Sequence, residues 1–186
     1  MRDRIPPPPP YASGMVHVMI RSTTADDWER VRDLRLEMLR DTPDAYLETV
    51  HDALRHDEQE WRMRGRRGRS ATGVSLVAID AGDRWVGAMG GWVPEPCADP
   101  LLVGVYVAPS HRGRDSGVAD ALLDAIEAWA GEHGAALRLA VHEGNHRARA
   151  FYARRGYEAT GESHPYVLDR RERELEMIRV LTRRIP

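Results

Sequence analysis

Lysine is absent from this 186-residue chain, so all 27 of its basic residues are arginine. Any mechanism built on a lysine amine is therefore excluded. Cysteine occurs once, at Cys97, which rules out an internal disulfide and a multi-cysteine zinc centre. It lies in the polar, proline-bearing segment Pro94-Glu95-Pro96-Cys97 and reads as a loop position rather than a catalytic thiol. No apolar run approaches the ~18 residues of a membrane-spanning helix, so no membrane partner is expected. The start is charged and then proline-rich rather than apolar, which does not read as a secretory signal, and the cytoplasm is the expected compartment. The formal net charge is only -2, so the basic surface of a dedicated nucleic-acid binder is not expected either. Two nucleotide-binding signatures are missing as well: there is no G-x-x-x-x-G-K-[ST], and no G-x-G-x-x-G at a strand-to-helix turn.

What remains is enough chain for one domain with a real core. Residues 1–14, with five consecutive prolines from Pro6 to Pro10, read as a disordered leader. Residues 15–183 read as a single domain, with Met15 or Met19 as alternative starts. A first strand is predicted over Val16 to Arg21. Thr24-Ala25-Asp26-Asp27 reads as a capping box, opening a helix with Trp28, Val31, Leu34 and Met38 inward that ends near Asp41-Thr42-Pro43. A second helix is predicted from Ala45 to about Trp61. Arg62 to Arg69, with five arginines and two glycines, reads as a solvated loop. Ser75 to Asp80 and Arg84 to Val93 form a hairpin through Ala81-Gly82-Asp83. Gly87, Gly90 and Gly91 in its second arm point to a bulge or a close backbone approach.

The stretch from Leu101 to Ala130 organises the rest. Leu101 to Val107 is a β-branched, apolar run closed by Pro109, hence a buried strand. Val118, Leu122, Ile126 and Trp129 recur at helical spacing, widened by Leu123 and Ala130, and Gly131 and Gly134 are available to end the helix. A strand that delivers a loop onto a helix N-terminus is an anion site, because the first helical N–H groups lack intrahelical partners. Arg112 and Arg114 add positive charge, while Gly113, Gly117 and Ala119 let the backbone approach a ligand. The natural guest is a phosphate or pyrophosphate. Downstream, Ala136 to His142 alternates as a strand, and Asn145 is a good cap for a short helix carrying Ala148, Phe151 and Tyr152, closed by Gly156. Short strands are predicted over Tyr157 to Thr160 and Glu172 to Leu181.

Two blocks resemble the GNAT superfamily of acetyl-CoA-dependent N-acetyltransferases. Arg114-Asp115-Ser116-Gly117-Val118-Ala119 is similar to its pyrophosphate loop, R-x-x-G-x-A. Counting from Arg112 instead puts Asp115 where glycine is usual, so Arg114 is the preferred register. Val141 to Tyr157 is similar to V-x-x-x-N-x-x-A-x-x-F-Y-x-x-x-G-Y at every fixed position. The resemblance covers all but the leader and the last few residues. It implies an α/β (α+β) fold: a mixed, mostly antiparallel twisted sheet with a splayed central strand pair and helices on both faces. It also implies that acetyl-CoA is the co-substrate and that no metal is needed. The pantetheine arm would pair with backbone near Val105, Tyr106 and Val107, with the latter two as candidate oxyanion donors. The pyrophosphate would rest on Arg112, Gly113, Arg114, Asp115, Ser116, Gly117, Val118 and Ala119. Asn145 would hold the pantetheine arm or cap its helix.

By the same resemblance Tyr152 is the general acid for the departing thiolate, a phenol with an ordinary pKa near ~10. The base is less clearly written. The central strand has no carboxylate, which leaves Glu143, with His142 beside it. The expected reaction is direct attack of a primary amine, a small molecule or a protein N-terminus, on the thioester in a ternary complex. The alternative is a non-catalytic module that binds or senses acyl-CoA. Asp44, Tyr46, Glu48, Glu95 and Asp99 make the presumptive acceptor segments acidic and partly aromatic, which suits a cationic amine. A monomer or homodimer is expected.

Overall fold

The computed structural model describes residues 17–96 and 98–181, without the side chains of Asp44 and Arg69. The expected leader and Cys97 lie outside the described residues.

Seven strands form one sheet in the order β1-β2-β3-β4-β5-β7-β6. They are β1 (Met19–Ser22), β2 (Gly73–Ile79), β3 (Trp85–Trp92), β4 (Leu101–Val107), β5 (Ala136–His142), β6 (Glu158–Pro165) and β7 (Arg173–Val180). Every neighbouring pair is antiparallel except β4 and β5. The helices are α1 (Trp28–Asp41), α2 (Val50–Ala53), α3 (Glu58–Arg66), α4 (Val118–His133) and α5 (His146–Arg154).

Two faces are covered, and glycine makes one of them possible. A Cβ on Gly87 would meet Leu122 and Val118 of α4, and one on Gly91 would lie 2.4 Å from the Trp129 ring. Those glycines therefore face α4, which seats Val118, Leu122, Leu123, Ile126 and Ala130 at no exposure. Val107 pairs with Gly87 and shares that face. Its neighbour Tyr106 points the other way, and there its hydroxyl donates to Glu37 of α1 at 3.0 Å.

The second predicted helix is broken. Pro43–Ala45 is a 3-10 turn, Val50–Ala53 is a single helical turn capped by Thr49, and a separate helix starts at Glu58 behind the Asp57 cap. Asp57 starts the later helix by accepting the Glu60 amide at 2.9 Å. The arginine-rich loop is a correction too: Arg62 to Arg66 are helical and Arg67–Arg69 continue as a 3-10 turn. The two glycines explain why. A Cβ on Gly65 would sit 2.2 Å from the Thr24 carbonyl oxygen and one on Gly68 2.1 Å from that of Thr23. Thr23 then donates its hydroxyl to the Gly65 carbonyl at 2.8 Å. This segment is a packing surface, from which Arg66 and Arg67 are exposed.

The acidic side of α4 is also more than a solvated face. Arg155 donates to Asp120, Asp124 and Glu127, while Arg154 reaches Asp120 and Arg179 of β7 reaches Glu127 at 2.6 Å. Tyr157 adds its hydroxyl to Glu127 at 3.2 Å. These bonds fix α5 beside α4, and α5 carries Tyr152.

Candidate active site

The site begins as a defect in the sheet. β4 and β5 share one register pair, Leu101 with Arg138, supported by the Arg138 amide on the Pro100 carbonyl at 2.9 Å. Beyond it the strands part. A bulge in β4 accounts for the turn away: Ala88 pairs with Tyr106 and Gly90 with Val103, so Met89 faces two residues, Gly104 and Val105. Gly104 has a φ of 61°, the left-handed conformation that glycine allows at such bulges. The expected splay is thus present, and its cause is an extra residue in β4.

At the open end of the gap the chain runs through Pro109–His111, a 3-10 turn, into α4. Gly113 and Gly117 have φ of 103° and 67°, and α4 starts from Gly117 with no side-chain cap. The amides of Gly113, Arg114, Asp115 and Ser116 donate to no protein group among the described residues. The loop therefore presents uncommitted donors beside a helix N-terminus. Ser116 is buried, and its hydroxyl is spent inside the loop on the His111 and Gly113 carbonyls. What it can offer a ligand is its amide.

The two loop arginines differ sharply. Arg112 donates Nε to the Val107 carbonyl at 2.7 Å, pairs with the Asp41 carboxylate at the end of α1, and lies over the Tyr106 ring. Asp41 is in turn held below the usual carboxylate range: burial pushes it up, and its bonds from Arg112 and Thr42 more than offset that. Arg114 is exposed, and its guanidinium has no protein partner among the described residues.

Tyr152, Phe151 and Tyr157 pack edge to face, with Tyr152 centroids 5.3 and 5.6 Å from the other two rings. Tyr152 is 5% exposed. Burial pushes its phenol well above the ordinary tyrosine value, and the nearby Tyr46 phenol adds to the effect. This corrects the expectation of ionisation near ~10: the hydroxyl stays protonated throughout the neutral and mildly alkaline range. Tyr46, from the turn after α1, donates its own hydroxyl to the Val105 carbonyl at 2.9 Å. A phenol from the α1 side is thus held on β4 where the strands part.

Asn145 uses its carboxamide oxygen to cap α5, accepting the Ala148 amide at 3.0 Å. His142 has both ring nitrogens engaged, Nδ1 accepting the Gly144 amide and Nε2 facing Glu172 at 2.9 Å. Its acceptor nitrogen is occupied, which leaves no lone pair for base catalysis. Glu143 accepts the Arg173 amide through one oxygen at 2.9 Å, tying the end of β5 to the start of β7.

Known proteins agree with this geometry. A model of the acetyltransferase (GNAT) family matches residues 28–157. The chain belongs to that family. As such it is an N-acetyltransferase, and members use acetyl-CoA. Among solved structures, the fold is similar to the ribosomal-protein-S5-alanine acetyltransferase of Vibrio fischeri, with a TM-score of 0.74 at 13% identity over 91% of this chain and 96% of that one. It is similar to a GCN5-related N-acetyltransferase from Kribbella flavida, with a TM-score of 0.68 at 23% identity over 88% and 98%. A third is the PaiA N-acetyltransferase of Thermoplasma acidophilum, solved with coenzyme A, with a TM-score of 0.65 at 18% identity over 86% and 98%. No curated protein matches the chain. No helix of the described residues is long and apolar enough to cross a membrane.

One of the acids in the segments expected to receive the acceptor is already neutralised by the protein itself. Glu48 accepts from Arg35 at 2.8 Å, from both terminal nitrogens of Arg64, and faces His56 at 2.7 Å. Burial would raise its pKa, but those bonds hold it at about 2. Glu48 therefore offers no free charge to an amine, whereas Asp99 accepts only the neutral Ala136 amide, at 3.1 Å through one oxygen. The pairing of Asp41 with Arg112, of Arg35 with Glu48 and of the Tyr46 hydroxyl with the Val105 carbonyl was not legible in the sequence, because the partners lie far along the chain and no local spacing joins them.

Proposed function

We propose that this chain moves the acetyl group of acetyl-CoA to a primary amine, small-molecule or protein N-terminal, by direct attack in a ternary complex. One observation carries the reading: a preformed gap between β4 and β5 opens onto an uncapped helix N-terminus flanked by unpaired loop amides. That gap suits an extended pantetheine arm, which adds to an open strand edge through its amides. The adjoining loop suits a pyrophosphate, with Gly113, Gly117, Val118 and Ala119 supplying close backbone and Arg114 a free guanidinium. Of the two candidate oxyanion donors, Tyr106 and Val107, the Val107 amide suits the role: Ala108 donates to the Val86 carbonyl of β3, so by alternation the Tyr106 amide also turns to β3 and the Val107 amide turns to the gap.

The amine nitrogen attacks the thioester carbonyl carbon, the C–N bond forms, and the C–S bond breaks as the carbonyl re-forms. Tyr152 gives its phenolic proton to the departing sulfur, and the proton that the nitrogen sheds on becoming an amide returns to the phenolate through solvent, restoring the acid. Its burial supports that role, since a phenol kept neutral is always loaded. The acceptor must arrive neutral, and at pH 7 only roughly one amine in a thousand with a pKa near ~10 is so. The rate should therefore climb with pH, with no fall near pH ~10 from the phenol. Structurally similar proteins include one named for an alanine of ribosomal protein S5, so an alanyl peptide belongs in the first acceptor panel.

Two measurements test this. Acetyl-CoA at ~100 times its Kd should stabilise the fold by about 2.7 kcal/mol, with ATP and acetate giving far less. Tyr152→Phe should retain the fold and the Kd while kcat drops by roughly 100 to 10,000-fold. Equal stabilisation by ATP, or an undiminished kcat in the variant, would refute the reading.

A further inference from the structure

We propose that Ser110, His111 and Asp80 form a second catalytic centre, in which Ser110 is a nucleophile that cleaves small oxygen esters. The Ser110 hydroxyl lies 2.9 Å from Nδ1 of His111. Across the ring, Nε2 faces the Asp80 carboxylate at 3.7 Å. The side chains thus run hydroxyl, imidazole, carboxylate, the order in which an activated serine gives up its proton. Ser110 is exposed, whereas the side chains of His111 and Asp80 are 16% and 19% exposed. An ester can reach the hydroxyl, while the charge formed behind it is largely withdrawn from water. The exposed turn suits a short acyl group rather than a long chain.

The centre is organised before substrate arrives. Asp80 accepts the Gly82 and Arg84 amides through Oδ1 at 2.8 and 3.0 Å. Those bonds close the β2–β3 hairpin and leave Oδ2 for His111. A neutral imidazole has one N–H and one lone pair. The carboxylate favours the hydrogen on Nε2, so Nδ1 keeps the lone pair that accepts from Ser110. Attraction to Asp80 then grows as the ring gains a proton, which is when a reaction benefits from it. Ser116 folds the loop back by donating its hydroxyl to the His111 and Gly113 carbonyls. The amides of Gly113 and Arg114, which have no protein acceptor among the described residues, follow within a turn of Ser110 and can take the charge of a tetrahedral oxygen. The same amides are the seat proposed for the pyrophosphate, so ester cleavage belongs to the cofactor-free protein.

The chemistry balances with water as the only co-reactant. Ser110 Oγ attacks the ester carbonyl carbon and its proton passes to His111 Nδ1. The bond to the leaving alcohol breaks, and His111 returns the proton to the alcohol oxygen. Water then attacks the acyl-serine, again losing a proton to His111. The acid departs and the proton goes back to Ser110 Oγ. Asp80 touches no reacting atom and is a positioning residue.

The probe is p-nitrophenyl acetate, with no acetyl-CoA present. The unaltered chain should release a burst of nitrophenol matched by one acetyl group on Ser110, located by peptide mass spectrometry. With no lysine in the chain, the label is not diverted to lysine amines. Ser110→Ala should abolish both burst and label, and His111→Gln should slow acylation about 100-fold. Asp80→Asn keeps Oδ1 for the hairpin amides, so kcat should drop at least about tenfold while KM and melting temperature hold. A burst that survives Ser110→Ala, acetyl found on another residue, or no burst from the unaltered chain would overturn the proposal. Hydrolysis that follows Tyr152→Phe rather than Ser110→Ala would overturn it too, by assigning the activity to the transfer site.

Discussion

Replacing the two loop arginines one at a time should split stability from affinity. Arg112 carries three local contacts: its bond to the Val107 carbonyl, its pairing with Asp41 and its stacking over Tyr106. Its side chain is 23% exposed and that of Asp41 21%, so the pair is largely withdrawn from solvent. Arg112→Ala leaves a carbonyl without its donor and a carboxylate without its cation. Each such loss costs about 1–3 kcal/mol, so the free protein should melt several degrees lower. Arg114 has nothing to lose in the free protein. Arg114→Ala should change stability by less than about 0.5 kcal/mol. Its cost should appear with ligand: a charge-assisted bond to phosphate is worth about 1.5–3 kcal/mol, or roughly a 10- to 100-fold rise in acetyl-CoA Kd.

Differential scanning calorimetry on the free variants and isothermal titration with acetyl-CoA give the two readouts. Repeating the titration at several salt concentrations adds a third, since the Arg114 contribution is an exposed charge and should shrink as salt rises. An Arg114→Ala variant that binds normally, together with a stable Arg112→Ala that has lost the ligand, would show that Arg112 grips the pyrophosphate and that the loop is read from the wrong arginine.

Other outcomes follow from the same geometry. Gly117→Val puts a branched side chain at a φ of 67° and into the ligand's path, so acetyl-CoA binding should vanish while circular dichroism still shows a folded helix; undiminished binding would argue against the loop as the phosphate seat. Gly91→Ala drives a methyl to 2.4 Å from Trp129, and chemical denaturation should register about 1–3 kcal/mol of destabilisation. Glu48→Gln should cost on the order of 3 kcal/mol at neutral pH. Because the Glu48 pKa is depressed to about 2, its stabilisation is present above the unfolded value near ~4.3 and fades as pH falls toward 2, so the variant should have a flatter acid limb. Glu143→Gln should lower kcat less than about tenfold, since the carboxylate is anchored to backbone; a hundredfold loss would restore it as the base.

Much of the fold was legible because it is local. The α4 stripe, the hairpin through Asp80 to Arg84 and the Asn145 cap each depend on residues within a few positions, and each formed as expected. The misses are long-range. Nothing near Arg62 to Arg69 tells a reader that Gly65 and Gly68 press on Thr23 and Thr24, so a run of arginine and glycine looks like a loop. The continuous helix expected from Ala45 to Trp61 failed because Thr49 and Asp57 act as caps inside it. Glu48 read as a free acid because its arginines are 13 and 16 residues away.

The gap itself shows why the reaction centre is harder to read than the frame. Gly104 was one glycine in an apolar run, with no feature to mark it as a bulge. Its effect appears only when β3 fixes the register on one side and the bulge turns β4 from β5 on the other. Once the strands part, the Val105 carbonyl lacks a sheet partner, and a buried polar group without one is costly. Tyr46 satisfies it from 59 residues away. The sheet defect and the phenol that caps it are therefore one structure. Removing the Gly104 bulge would close the strand edge and strand the Tyr46 hydroxyl together. A Gly104→Val variant, strained at a φ of 61°, should accordingly lose acetyl-CoA binding in isothermal titration, and binding kept at the unaltered Kd would separate the bulge from the gap.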